Sequence, residues 1–225
     1  MLVNPDTNLV HQAARELQEL HELEHNQAGT PVNKHHRFPQ SCLKLLRGIE
    51  GNLRCADCDA TNPCWATVTY GAMLCIDCSG SHRQLGVQIS VVRSISMDSW
   101  SYCEVLSMLE GGNKQLNDFF MRHGLPSPHM SDDDDSIMAG RNRYKTNAAM
   151  FYRDNLSQHI GRVHQRGLYK GRDHYRKVKK ARRKIKKETT KSTSHSNRTS
   201  TCAVECTLSP STSEPQLSVL ADKNI

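Results

Sequence analysis

Four cysteines carry the clearest chemistry in this sequence. Cys55 and Cys58 are separated by two residues, and after sixteen more residues Cys75 and Cys78 repeat that spacing. Two such pairs, joined by a connector of this length, can place four thiolates around one Zn²⁺ ion at about 2.3 Å. Because four thiolates fill the tetrahedron and leave no position for water, the spacing predicts one structural zinc ion with no chemistry at the metal.

Other metal ligands have weaker support from spacing. Cys64 lies between the two pairs, which already supply four sulfur atoms. The acidic run Asp132 to Asp135 is predicted to be a solvated loop, since consecutive side chains converge on one ion only if the loop folds around it. A second metal site is also a weaker alternative for four histidines that lack ligand spacing: His21, His25, His35 and His36.

Arg83 follows the last predicted zinc ligand by five residues, within the segment SGSHRQLG. An arginine taken alone is most simply a surface or ion-paired side chain. Its role therefore depends on the motif that surrounds it.

The composition limits the size of the folded part. Only 36% of the 225 residues are hydrophobic and 5% are aromatic. Residues 162–191 hold 14 Lys and Arg against two acidic residues, more positive charge than the net +7 of the whole chain, so the remainder is net acidic. The following Ser- and Thr-rich stretch has too few apolar residues to offset its chain entropy, which predicts a largely disordered basic tail over residues 162–225.

The compartment follows from what the sequence does not show. No stretch approaches the roughly 18 consecutive apolar residues of a membrane span, and MLVNPDTNLV lacks the pattern of a secretion signal. We therefore expect a cytoplasmic protein, in which thiols stay reduced. Nine cysteines, an odd count, then favour a metal site with free thiols over a disulfide scaffold.

Apolar periodicity predicts helices on both sides of the cysteines and short strands among them. The predicted helices cover residues 6–25, 40–47, 99–109, the segment from 113 to 120, and 144–159. Strand-like alternation covers residues 65–70, and the β-branched segment 87–97 predicts one long strand or a strand pair.

The motifs extend well beyond the four cysteines. The two cysteine pairs are followed by SGxHRxLG, and Trp65 stands in the connector. Further matching segments are Val92-Arg93-Ser94, Asp98-Ser99-Trp100, Gly112-Asn113, Tyr144-Lys145 and Tyr152-Arg153. Over about residues 42–160, this set resembles the catalytic domain of the Arf GTPase-activating proteins, which act on small GTPases of the ADP-ribosylation factor group.

The resemblance implies a fold and a set of site residues. The fold would be α+β, a small central β-sheet with a four-cysteine zinc module, surrounded by helices. Arg83 would be an arginine finger, and the zinc ligands would be Cys55, Cys58, Cys75 and Cys78. With the composition, this predicts three segments: an N-terminal helix and linker (1–39), an ArfGAP-like zinc-finger domain (40–161), and the basic tail (162–225).

The resemblance also implies an activity. The chain would be a GTPase activator in vesicle trafficking that binds a GTP-bound Arf-family GTPase and has no small-molecule substrate or further cofactor. Three departures from the family pattern bear on partner choice and rate. Asp59 stands where Gly is common, Gln88 stands where many members have His, and residues 131–135 look like an insertion.

Two alternative functions and several roles for the basic run remain open. The cysteine spacing also resembles a GATA-type nucleic-acid-binding finger, although few basic residues lie between and after the pairs. A catalytically inactive scaffold with the same fold is the other alternative. Residues 176–187 could bind an anionic membrane surface such as the Golgi or an endosome, serve in nuclear entry, or bind RNA.

Overall fold

The computed structural model describes residues 7–25, 37–125 and 142–177. All of these residues fall within the first of two compact units, Met1–Lys180. The predicted acidic insertion 131–135, His35, His36, the side chain of His25, and the basic run beyond residue 177 lie outside the described residues. Among the described helices, none has the length and apolar character that crossing a bilayer requires.

Helices and three short strands make up the fold of the described residues. The helices are α1 (Thr7–His25), α2 (Gln40–Gly48), α3 (Ile76–Gln84), α4 (Tyr102–Glu110), α5 (Asn113–Arg122), a 3₁₀ turn (Arg143–Lys145) and α6 (Asn147–His164). The strands are β1 (Trp65–Thr67), β2 (Ala72–Leu74) and β3 (Val92–Ser94). Residues 172–177 are also helical. The predicted α+β class, with a small sheet among helices, is confirmed.

The sheet is antiparallel, with β1 between β2 and β3. Trp65 of β1 lies opposite Leu74 on one side and Ser94 on the other. Gly71 makes the turn from β1 to β2 at φ +61°, and its carbonyl accepts a hydrogen bond from the Gly112 N–H at 2.7 Å. A Cβ atom on Gly111 would lie 2.4 Å from the Gly71 carbonyl oxygen, so this close backbone contact requires glycine.

The apolar core lies among the helices. Helix α4 contributes Val105, Leu106 and Leu109, each at most 1% exposed. Helix α6 contributes Leu156, Ile160 and Val163 from one face. Helix α1 covers the core with four buried side chains, at the spacing expected for one face of a helix: Ala13, Ala14, Leu17 and Leu20.

Helix α1 also supplies hydrogen-bond acceptors to two other helices. The Glu16 carboxylate accepts from the Ser41 N–H and hydroxyl, both at 2.8 Å, at the start of α2. The Glu24 carboxylate accepts from the Tyr102 N–H at 2.6 Å, at the start of α4. These contacts satisfy N–H groups that helix N-termini leave without an intrahelical partner. Helix α1 is therefore joined to the core by polar contacts as well as by packing.

The first residues of the predicted tail are packed. Helix α6 continues to His164, and Tyr169 and Tyr175 are buried beyond it. The Tyr169 hydroxyl donates to the Glu110 carboxylate at 3.0 Å. These two tyrosines supply apolar area that the basic run beyond them lacks, which is why residues 162–177 pack onto the core. The three-segment division of the chain stays a prediction.

Candidate functional site

The four predicted ligand cysteines lie together in the structure. Their sulfur atoms are all within 4.8 Å of one another, and the Sγ atoms of Cys58 and Cys75 are 3.5 Å apart. Four sulfurs around a tetrahedral zinc at 2.3 Å would be separated by about 3.8 Å. The arrangement and the all-sulfur donor set therefore fit one Zn²⁺ ion. Across residues 7–25, 37–125 and 142–177 it is the one cluster of this kind, and it includes neither Cys64 nor His21.

Each cysteine pair is shaped by local backbone structure. A tight loop between Arg54 and Thr61 carries the first pair, and the Cys55 N–H donates to the Ala60 carbonyl at 2.8 Å. Asp59, which stands where the resembling family commonly has Gly, adopts φ +61° in this loop. Glycine adopts that conformation without strain, so the departure from the family pattern has a conformational cost.

The second pair begins α3. The Cys75 Sγ atom accepts from the Cys78 N–H at 3.4 Å, as an N-cap side chain does. The hydrogen bond from the Cys78 thiol lowers the pKa of Cys55 to about 5, and the same bond raises the pKa of Cys78. A bound zinc ion would hold all four cysteines as thiolates, so the metal would take the place of the hydrogen bond between Cys78 and Cys55.

Arg83 lies on the exposed surface of α3. Its guanidinium carbon is 4.3 Å from the centre of the Trp65 ring, a cation–π contact that orients the side chain. Trp65 belongs to the central strand of the sheet, which pairs with a neighbouring strand on each side. The structure thus brings together Arg83 and Trp65, two residues that the sequence analysis named separately.

A buried polar network lies beneath Arg83, and sequence analysis assigned it no role. The Nε2 atom of His82 is 2.9 Å from the Asp57 carboxylate, and its Nδ1 atom is 2.8 Å from the Ser90 hydroxyl. The Ser90 hydroxyl is also 2.8 Å from that of Thr67 on β1. Two sequence signals point to this network: Asp57 lies inside the first cysteine pair, and His82 directly precedes Arg83.

The same carboxylate is bound from its other side. Arg143, only 2% exposed, donates from its Nη2 atom to Asp57, and the Tyr144 hydroxyl donates to Asp57 at 2.6 Å. Burial by itself raises the pKa of Asp57. The hydrogen bond of His82 and its electrostatic interaction with the carboxylate, together with Arg143 and Tyr144, outweigh burial and hold the pKa of Asp57 well below its usual range. Asp57 is therefore an ionised carboxylate that joins the cysteine loop, α3 and the 3₁₀ turn.

The remaining motif residues connect the module to the rest of the fold. Asn113, from the Gly-Asn step, accepts from the Met73 N–H at 2.7 Å and donates to the Arg54 carbonyl at 2.6 Å. The indole N–H of Trp100 donates to the Ser94 carbonyl at 3.0 Å. Arg153 donates to the carbonyl of Gln88 at 2.7 Å, so that contact does not depend on which side chain stands at position 88.

Comparison with known proteins agrees with this arrangement. The ArfGap family model, described as "Putative GTPase activating protein for Arf", matches residues 40–161, more than half of the chain. The chain belongs to the ArfGap family. The four cysteines therefore belong to an ArfGap domain and not to a GATA-type finger.

Curated relatives of this ArfGap chain include two Arf GTPase-activating proteins. The chain is 44% identical over 115 residues to ADP-ribosylation factor GTPase-activating protein 3 of Pongo abelii, covering 51% of this chain and 20% of that protein. It is 48% identical over 83 residues to ADP-ribosylation factor GTPase-activating protein GCS1 of Saccharomyces cerevisiae, covering 37% and 24%. The chain therefore spans about a fifth to a quarter of the length of these relatives.

A solved structure is also similar. It is the crystal structure of a "putative GTPase activating protein for ADP ribosylation factor" from Cryptosporidium parvum, which is 27% identical and has a TM-score of 0.44. The similarity covers 53% of this chain and 88% of that one.

Proposed function

We propose that this ArfGap chain is a GTPase-activating protein for Arf-family small GTPases and that Arg83 is its arginine finger. The observation that carries the proposal is the position of Arg83: an exposed guanidinium at 4.3 Å from an aromatic ring, on a helix that begins at the predicted metal ligands. A residue inserted into a partner's active site must be exposed and held in one geometry. Arg83 meets both requirements.

The proposed chemistry is electrostatic. During GTP hydrolysis, negative charge develops on the oxygens around the transferred γ-phosphoryl group. A guanidinium supplied in trans would stabilise that charge, and arginine fingers of this kind raise kcat by roughly 10³ to 10⁵. The hydrolysis would take place in the nucleotide site of the GTP-bound partner, so the chain would act as an activator and not as an enzyme with its own substrate.

Zinc would have a structural role in this function. The four cysteines would hold the ion, and a complete set of sulfur ligands supplies fold stability instead of an activated water molecule. Cys75 and Cys78 both belong to the segment from which α3 begins, so the ion would fix the start of the helix that carries Arg83.

The test is single-turnover GTP hydrolysis with a panel of purified GTP-loaded Arf proteins. Arg83→Lys keeps the charge but loses the planar five-donor group, so we expect stimulation to fall by a factor on the order of 10³ or more. Arg47→Lys, at an exposed arginine of α2, is the matched control and should stimulate as the wild type does.

Full stimulation by Arg83→Lys would refute the arginine-finger role. Absence of stimulation by the zinc-loaded wild type across the panel would favour the inactive-scaffold alternative.

We further propose that the protein is cytoplasmic and binds peripherally to Golgi or endosomal membranes through its basic run. Residues 176–187 contain nine Lys and Arg, which would be attracted to anionic lipid. Vesicles of phosphatidylcholine and phosphatidylserine should bind the full chain and release it as salt is raised. Deletion of residues 176–187 should abolish this binding, and equal binding after the deletion would refute the lipid role of the basic run.

A further inference from the structure

Helix α3 has one end fixed by the metal ligands and another end that carries Arg83. Cys78 precedes Arg83 by five residues, a rise of about 7.5 Å along a helix. The side chains that α3 buries are those of Ser79 and His82, both polar. At the Arg83 end, Leu85 is only partly buried against the core. The polar contacts of His82 therefore add to a limited apolar contact in fixing the rotation of α3.

We propose that His82 is a positioning residue for Arg83, held in place by Asp57 and Ser90. Both ring nitrogens of His82 are engaged, one by a carboxylate at 2.9 Å and one by a hydroxyl at 2.8 Å. A rotation of the ring, or of the helix that carries it, would lengthen at least one of these bonds. His82 is 1% exposed, so water does not readily replace a lost partner.

The contacts also join Arg83 to the ring on which it lies. From His82 the path runs through the Ser90 hydroxyl to Thr67, at 2.8 Å for each contact. Thr67 and Trp65 belong to the same three-residue strand. The hydrogen bonds thus connect the helix that carries Arg83 to the strand that carries Trp65. The Tyr144 ring also packs against the imidazole of His82, with 4.4 Å between ring centres. A misplacement of about 1 Å at a catalytic group can cost roughly 10²-fold in rate.

Because this inference rests on the proposed function, its first test measures hydrolysis. Ser90→Ala removes the Nδ1 partner of His82 and leaves Asp57, Arg83 and the cysteines in place. We expect kcat for stimulated GTP hydrolysis to fall about ten-fold while KM for the Arf protein stays unchanged, as a transition-state contact would. Ser41→Ala is the matched control, since its buried hydroxyl also bonds an ionisable side chain, that of Glu16, away from α3.

The second arm of the test asks whether the effect acts through Arg83. In the Arg83→Lys background, Ser90→Ala should cause no further loss, because the group that it positions is already absent. An equal ten-fold loss in both backgrounds, or wild-type kcat in Ser90→Ala alone, would overturn the proposal. If Ser90→Ala fails to fold, as judged by zinc binding and cooperative unfolding, Thr67→Val is used in its place. It interrupts the same path with little change of side-chain shape.

A third readout needs no GTPase, so it separates this proposal from the proposed function. The Trp65 ring should shift the NMR signals of the Arg83 side-chain protons, because the guanidinium lies over its face. In the zinc-bound protein, Ser90→Ala should reduce that shift, and Ser41→Ala should leave it unchanged. A shift that is identical in the wild type and Ser90→Ala would overturn the proposal even if wild-type stimulation is strong.

Discussion

Helices α3 and α4 are both nine residues long, yet they are held in the fold by different forces. Helix α4 buries seven of its side chains, Val105, Leu106 and Leu109 among them. Helix α3 buries two, Ser79 and His82. Hydrophobic burial, which stabilises by about 25 cal/mol per Å² of apolar surface, therefore fixes α4. Hydrogen bonds and the predicted metal ligands must fix α3.

The starts of the two helices differ in the same way. Helix α4 begins with a capping box in which the Ser101 hydroxyl accepts from the Glu104 N–H and the Glu104 carboxylate accepts from the Ser101 N–H. Helix α3 begins with the Sγ atom of Cys75 as its cap, which is also a predicted zinc ligand. The start of α3 thus depends on the metal site, whereas α4 has local caps of its own.

The largest expected difference between the two helices follows removal of zinc. A structural zinc ion stabilises the segments that supply its ligands, so a chelator at neutral pH should abolish the hydrogen-exchange protection of α3 amides. The amides of α4 should keep measurable protection, since their core contacts contain no metal ligand. Equal loss of protection in both helices, or in neither, would contradict the comparison.

The polar support of α3 should be the next most sensitive feature. Asp57→Asn leaves the buried guanidinium of Arg143 without its carboxylate, and breaking a buried ion pair in this way typically costs about 3–5 kcal/mol. Denaturant unfolding of the zinc-bound protein measures this loss. Asp118→Asn, which removes the exposed partner of Lys114, is the control and should cause no measurable change. A similar small change in both variants would show that the network adds little.

Matched truncations of the two helices should give unequal effects. Leu106→Ala in α4 creates a cavity in the core and should lower the free energy of unfolding by about 2–5 kcal/mol. Ser79→Ala in α3 removes a hydroxyl that donates to the Ile76 carbonyl at 2.7 Å, and should cost about 1 kcal/mol. Thermal and urea unfolding would check both values. A larger loss of unfolding free energy in Ser79→Ala than in Leu106→Ala would contradict the conclusion that apolar burial fixes α4 and polar contacts fix α3.

The smallest expected effect concerns the start of α4. Glu24→Gln weakens the acceptor of the Tyr102 N–H and should cost about 1 kcal/mol or less, as changes at helix caps do. Glu19→Gln, at an exposed position of the same helix, should leave stability unchanged. Urea unfolding of both variants separates the contact from a general effect of charge, and an equal loss in the two would exclude the contact as its cause.

Features that depend on local spacing could be predicted from the sequence. The cysteine pairs and the apolar stripe of α1 each lie within a short segment, and the structure contains both. Helix α3 could not be predicted in this way, because IDCSGSHRQ has no apolar stripe. The segment 87–97 was predicted as strand from its β-branched residues, but only Val92–Ser94 pairs with β1. Before it, the N–H groups of Ile89 and Ser90 both donate to the Gly86 carbonyl in a turn.

The buried network shows why the rest of the site required a structure. Asp57 meets His82 across 25 positions of sequence and Arg143 across 86. No periodicity or motif spacing connects residues so far apart. Arg83 could be named from its motif. Asp57 and His82 stand next to motif residues in the sequence, but their pairing is known only from their contacts.

The carboxylates of α1 distinguish the segment that defines the family from the unit that folds. The family match begins at residue 40, whereas Glu16 and Glu24 lie before it and bind the N-terminal ends of α2 and α4. A fragment of residues 40–161 transplanted into another protein would carry two helices without these acceptors and would expose the apolar surface that α1 covers. A version of this module that keeps these contacts includes α1 (Thr7–His25).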